Sequence, residues 1–363
     1  MKKTSIWLLA MVATVGAVPF ETRAANISHM SANGIAVNNI VVMQHSIMHN
    51  AFDNFDRSMA NALDRPSKEA FEDEPKTVKD YTKDYGKMPT YGEYGDDGTV
   101  FASGRSGGDF DTTNTMWADW QHAQDYAKFD DFHRVDSKHD IISLGFSDTP
   151  SEHDSGISEF GGFGGVIISD EDSGAVELSE NGEYLGLYYA YHSYGFNLNS
   201  AVNFGTLFSD TKSDAFGKYD LTNIWGGAAL NASYNILLDE TSVLQPGLYA
   251  GYTWIYSDGY KTSSGHEISF DNFQAFELSP SLRTITHIGD GWVGIMSARY
   301  VFNFTDGGVL KHSGLSSLDM GDYAEYGITF EKSTEILSLA ISLNRHDGAR
   351  TGWTGGLHAR YRF

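Results

Sequence analysis

The chain has no cysteine, only 7 prolines in 363 residues, and 25 lysines and arginines against 48 acidic residues. The first absence excludes disulfide staples and zinc sites built on thiolates. The shortage of basic residues, with a net charge of −23, excludes nucleic acid as a partner, because phosphate binding rests on clustered Lys and Arg. Long apolar runs are missing too. The run from Ile6 to about Val18 falls short of the ~20 residues a membrane helix needs. With Lys2 and Lys3 before it and Thr22-Arg23-Ala24 after it, this stretch predicts a cleaved secretory signal over residues 1–25. G-x-S-x-G, P-loop and H-E-x-x-H motifs are absent as well, which removes the common sequence signatures of hydrolase, nucleotide and zinc-protease chemistry. What the chain has in quantity is glycine (39), tyrosine (20) and phenylalanine (22). That mixture fits aromatic-rich strands.

From about Met116 onward the hydrophobic period is two. In ILSLAISLN, Leu337, Leu339, Ile341 and Leu343 alternate with Ser338, Ala340, Ser342 and Asn344. Trp292, Met296, Ala298, Tyr300, Phe302 and Phe304 form a second such set, and Pro246, Leu248, Ala250, Tyr252, Trp254 and Tyr256 a third. Alternation of this kind describes strands with one oily and one wet face. A β-sandwich would show it too, but the connections sort by length. SDEDSGAVELSENGE, SDTKSDAFGKYDLTN, SDGYKTSSGHEISFDN and TDGGVLKHSGLSSLDMGD are long and polar, whereas SYG, LLDETS, HIGDG and EKSTE are short. Long loops on one rim and tight turns on the other are the pattern of an outer-membrane barrel. The fold class expected is therefore all-β, a transmembrane antiparallel barrel of about twelve strands over residues 115–363.

Ahead of the strands, Ile40, Met43, Ile47, Met48, Phe52, Phe55, Met59 and Leu63 recur at steps of three and four, which predicts a helix over residues 37–64 ended by Asp64-Arg65-Pro66. At 1.5 Å per residue it is roughly 40 Å long, enough to thread a barrel. Residues 26–36 are read as a short N-terminal segment with no real passenger, and residues 65–114 as an acidic, Gly- and Tyr-rich linker or insertion. GDDG and SGGDFD within it lack the spaced acidic ligands of a calcium loop. No metal or cofactor is expected.

Alternation points Glu277, Arg283, Arg299, Glu325, Glu331, His358, Arg360 and Arg362 into the lumen, giving the barrel a charged interior. Such a set would hold a plugging helix through ion pairs or line a narrow pore. A porin-like diffusion channel without a secretion role is the alternative. A surface protease of the omptin type is a further one, resting on His346 and Asp347 in RHDG, with His153, His266 and His312 in other loops. Convergence of such groups is not readable from a linear sequence, and no catalytic residue is assigned.

Taken together, the helix, MWADWQ, GEYLGLYYAYHSYGFNLNSA, VLQPGLYAGYTW, YAEYGITFE and NRHDGARTGWTGGLHARYRF resemble the translocator β-barrel domain of bacterial autotransporters, the type V secretion proteins. The resemblance implies a monomeric twelve-stranded barrel in the outer membrane of a Gram-negative bacterium, surrounded by lipid, with the preceding helix in its lumen. It implies the barrel-assembly machinery and periplasmic chaperones as partners during biogenesis. It also implies a C-terminal assembly signal, to which Thr354, Gly356, Ala359, Tyr361 and the terminal Phe363 are similar. Asn38 and Asn39 resemble the asparagine pair at which one autotransporter subgroup cleaves itself inside the barrel, the first asparagine attacking its own carbonyl with help from luminal acids. Asparagine at a helix start also has an ordinary use, as an N-cap.

Overall fold

The computed structural model describes residues 20–63, 92–94, 100–102, 114–128, 134–148, 151–153, 156–213, 217–239, 241–261, 267–307, 320–334 and 336–363, with helix side chains from 32 to 53. Residues 1–19 of the segment expected as a signal (1–25) and most of the 65–114 section lie outside these.

Twelve long strands follow one another around a closed sheet. They are β1 (Thr115–Lys128), β2 (Arg134–Ser147), β3 (Gly156–Asp172), β4 (Val176–Ser193), β5 (Phe196–Ser213) and β6 (Gly217–Tyr234), then β7 (Ser242–Ser257), β8 (Phe273–Gly289), β9 (Trp292–Asp306), β10 (Tyr323–Ser333), β11 (Leu337–Gly348) and β12 (Arg350–Arg362). Every neighbouring pair is antiparallel, and β12 pairs with β1 from Arg350↔Ala127 to Arg362↔Thr115, which closes the cylinder. Closure leaves no unpaired edge, as a sheet surrounded by hydrocarbon requires.

Burial alternates along each strand. On β11, Leu339 and Ile341 point outward while Ser338 and Ala340 are buried. Leu185 is 68% exposed, Leu144 63% and Met296 61%. A belt of large apolar side chains running round the whole molecule is far beyond what a water-soluble monomer exposes, and it matches the apolar band of a membrane barrel. Trp292, Tyr234 and Tyr361 mark one edge of the belt and Trp120 and Trp353 the other, the level at which amphipathic rings meet the headgroups.

One rim carries the start of β1 and the end of β12. Its two-residue turns at Tyr194-Gly195 (φ 47° and 80°) and Asp290-Gly291 (φ 51° and 72°) have the left-handed dihedrals that continue the strand twist of a hairpin. The opposite rim carries the long connections 258–272 and 307–322. Two segments expected as loops there are instead strand. SDEDSGAVELSENGE is β3 to Asp172 and β4 from Val176, and SDTKSDAFGKYDLTN is β5 to Ser213 and β6 from Gly217. Their outward residues include Asp170, Glu177, Asp210 and Asp220, while Val176, Leu178 and Leu221 are buried inward, so these hairpins continue above the apolar belt. There the outer face is the polar one, the reverse of a lipid-facing strand, and the stretch reads as a polar loop.

The helix α1 spans Phe20–Leu63, so it begins well before Val37. No proline interrupts this stretch, and Asn38 and Asn39 sit inside the helix rather than capping it. Ala32, Ile35, Ala36, Val37, Ile40, Met43, Ile47, Met48, Ala51 and Phe52 are all buried. A helix buried on every side lies within an enclosure, and here the enclosure is the barrel. Asn39 bonds to β3 and β4, Gln44 to β5, His45 to β8 and Asn50 to β1. These partners run from the long-loop rim to the turn rim, so α1 threads the lumen lengthwise. Gly227 on β6 makes room for it. A Cβ there would run into the Gln44 amide, so any larger residue would have to displace the Gln44–Asn203 pair.

Candidate functional site

The candidate site is the contact between α1 and the lumen wall. Asn39 Nδ2 donates to Ser169 Oγ (2.7 Å) and to Glu180 Oε2 (2.5 Å), and Ser209 Oγ holds the other Glu180 oxygen at 2.7 Å. Gln44 and Asn203 exchange two amide hydrogen bonds, of 2.8 and 2.7 Å. Asn50 donates through Nδ2 to Asp119 Oδ1 at 2.8 Å and accepts at Oδ1 from Gln121 Nε2. His45 Nδ1 lies 2.7 Å from Glu277 Oε1, and Asp53 pairs with Arg283 at 3.2 Å. The helix is thus tied at several heights and on several sides, which fixes both its depth and its rotation. Between these ties it is packed by Trp117, Ile141, Phe163, Ile167, Tyr184, Tyr188, Trp225 and Tyr249.

All eight charged residues singled out by alternation lie on the lumen face. Glu277, Glu325, Glu331, His358 and Arg360 are buried, and Arg283, Arg299 and Arg362 are half-buried. They serve different ends. Glu277 and Arg283 touch the helix directly. Glu325 collects Arg299 Nη2 at 3.3 Å, His346 Nε2 at 3.3 Å and His45 Nε2 at 3.7 Å. Glu331 faces Arg360 at 3.7 Å and Asp119 faces His358 at 3.6 Å, both within the wall. Asp125 completes the network through Arg350 Nε at 2.5 Å and His346 Nδ1 at 3.8 Å. Buried pairs of this kind contribute little net stability, but removal of one partner leaves an uncompensated charge. The cationic members of the network all stand on this part of the wall. From β3 to β7 the inward positions mix large apolar and aromatic side chains with buried carboxylates such as Glu159, Glu171 and Glu180 and with neutral polar groups such as Asn199 and Asn203.

Asn38 lines a small cavity with Asp125, Ser137 and Arg350, and the luminal carboxylate that grips the pair, Glu180, holds the second asparagine rather than the first. The C-terminal residues divide by face. Thr354 and Gly356 point inward, while Ala359, Tyr361 and Phe363 point toward lipid, with the Tyr361 and Phe363 rings stacked at 6.1 Å. His346 and Asp347 do not converge. His346 is buried against Glu325, and Asp347 lies on the outside, 2.9 Å from Arg345. The side chains of His153, His266 and His312 lie outside the described residues. Missed in the sequence were Glu180, Asn203, Asp119, Gln121, His45 and His49. The strand ones stand at lumen-facing positions of their strands, a readable signal, but their helix partners are not encoded in any spacing.

The fold and the site define a class: a small transmembrane barrel filled by its own N-terminal helix. The sequence matches no family model and no curated protein. In fold the chain is that of the autotransporter translocator β-domains. It is similar to the β-domain of the Bordetella autotransporter BrkA (TM-score 0.58, 16% identity, covering 68% of this chain and 98% of that one). It is similar also to the transport unit of the Escherichia coli autotransporter AIDA-I (0.58, 15%, 71% and 94%) and to the translocator domain of NalP from Neisseria meningitidis (0.58, 9%, 71% and 90%).

Proposed function

We propose that this chain is an outer-membrane translocator, exported by the signal at residues 1–25, which holds a polypeptide segment in its lumen and passes its N-terminal side to the outside. The observation that carries this reading is α1 itself, a peptide segment lengthwise in the lumen with polar ties from one rim to the other. The direction fits. Its N-terminal half lies by the long-loop rim, which faces outward in such barrels, and its C-terminal half by the turn rim, where β1 begins. Lipid surrounds the apolar belt, and Ala359, Tyr361 and Phe363 on the last strand offer an assembly factor an edge for strand pairing. The chain performs no catalytic step on this reading.

An epitope inserted directly after the proposed signal, at residue 26, tests it: antibody should label the tag on intact cells, and a tag reached only after the outer membrane is broken would overturn the export reading. Planar-bilayer recording separates translocator from diffusion channel. The whole protein should stay nearly silent and a variant lacking residues 32–53 should conduct; equal conductance from both would favour the channel. Intact-mass measurement of the mature chain addresses the asparagine pair, since a chain beginning at Asn39 would overturn the non-catalytic reading.

A further inference from the structure

His45 and His49 stand one helical turn apart, so both imidazoles leave α1 on the same side. Across from them β8 presents Glu277. The ligand atoms of these three residues lie within 4.8 Å of one another, and His49 Nε2 is shielded from solvent without a hydrogen-bond partner. An idle ring nitrogen beside a second imidazole and a carboxylate is unusual, because buried polar atoms are almost always satisfied. We propose that these residues form a divalent transition-metal site, with zinc as its natural class of occupant, linking the helix to the barrel wall.

The donor chemistry fits. Two neutral imidazoles and one carboxylate make a borderline-soft set, the kind that takes zinc with a fourth position left to water. A tetrahedral ion with bonds of about 2.0–2.2 Å draws its ligand atoms to roughly 3.4 Å apart, a shift that side-chain rotation supplies. The surroundings support it as well. Ser279 Oγ donates to Glu277 Oε1 at 2.8 Å, orienting the carboxylate. His45 turns Nδ1 toward Glu277 and Nε2 toward Glu325, 3.7 Å away, so a metal on Nδ1 would leave Nε2–H facing a carboxylate, the outer-shell partner that metal-bound histidines commonly have. Arg299 is a neighbouring cation: its Nη2 pairs with Glu325 at 3.3 Å and its Nη1 lies 3.5 Å from His45 Nε2, on the side of the ring away from Glu277. His49 stacks on Tyr249 with ring centroids 4.4 Å apart, which restrains its ring. The proposal rests on the helix lying in the lumen and not on whether anything is exported.

The test uses the full chain, without a polyhistidine tag, extracted in detergent, stripped with chelator and titrated with zinc alone. Bound metal is read by mass spectrometry and the coordination by the visible spectrum of a cobalt-substituted sample. One ion per chain is expected, with a tetrahedral cobalt spectrum. His49→Asn and Glu277→Gln should each weaken binding by more than about 100-fold, and Glu325→Gln by about 10-fold. His122→Ala, an exposed histidine on the outer wall paired with Asp140, should leave binding unchanged. Heat-modifiable gel migration reports whether each variant is a folded barrel, and two independent ligand variants keep the test open if one fails to fold. Zinc uptake by the parent no greater than by His49→Asn and Glu277→Gln, or loss of binding that follows His122 instead, would overturn the site and leave His45 and Glu277 as a plain hydrogen-bonded pair.

Discussion

The two halves of the lumen wall hold the same helix by different means. From β3 to β7 the inward residues include Phe163, Tyr184, Tyr188, Trp225 and Tyr249. From β8 round to β1 they include Glu277, Arg299, Glu325, Glu331, His346, Arg350 and Arg360. Apolar burial contributes about 1.5–3 kcal/mol per large side chain and is indifferent to small slips. The charged half contributes little net energy, yet its groups demand their partners at set positions. One half adds apolar attraction to the amide ties of Asn39 and Gln44; the other adds charged partners of fixed position, such as Glu277 for His45 and Arg283 for Asp53.

Substitutions on each half sharpen this contrast. Gly227→Leu gives the largest expected effect, since the space its side chain needs is already filled by Gln44. The helix should fail to seat, residues 32–53 should become cleavable by added protease, and the barrel should conduct. Next comes Glu331→Ala, which removes the carboxylate 3.7 Å from the buried Arg360 guanidinium and should cost up to about 3–5 kcal/mol in urea unfolding from detergent, whereas Glu331→Leu combined with Arg360→Met should recover most of that loss. Asn50→Ala leaves Asp119 and Gln121 without their helix partner, for a loss of about 1–3 kcal/mol. Ile40→Val, in the apolar packing of the same helix, should cost only about 0.5–1.5 kcal/mol by the same measurement. If Ile40→Val costs more than Asn50→Ala, the division of labour is wrong.

The smallest effect lies outside both halves. Asp239, in the turn between β6 and β7, has its carboxyl held below the usual carboxylate range by hydrogen bonds from the Thr241 amide and hydroxyl. A folded value below the unfolded one means the turn gains stability above the unfolded carboxylate range and loses it as pH falls through the folded value. The protection of the Thr241 amide, its exchange rate relative to the intrinsic rate at each pH, should fall on acidification as the Asp239 bond is lost.

Much of the barrel was legible because lipid imposes a strict rule on alternate side chains. Leu337, Leu339, Ile341 and Leu343 declare their face without any knowledge of neighbours, and so does the terminal strand. The rule lapses above the membrane. Around Asp172 and Val176 the outward residues are charged and the apolar Val176 and Leu178 face inward, the reverse of the lipid-facing pattern, and a hairpin there reads as a loop. It also lapses inside, where Trp225 faces the helix between outward Ile224 and Gly226, so an aromatic residue alone does not declare its side. The helix was visible from Ile40 to Leu63 through its periodic apolar residues. Its earlier start was not, because Asn38 and Asn39 resemble a cap until the wall partner of Asn39, three strands away in the sequence, is known. His346 and Asp347 likewise look like a pair in the sequence and are parted by the pleat.

A cylinder hydrogen-bonded all the way round has no door. The seam between β12 and β1 is paired along the whole last strand, so a helix already tied to β1, β3, β4, β5 and β8 cannot enter sideways afterwards. Either the seam zips last, around a chain already laid in place, or the segment is drawn in from one end, with every tie formed only on arrival. Assembly and filling are therefore one event in time, and any mutation that delays the meeting of the first and last strands should also leave the interior unfilled.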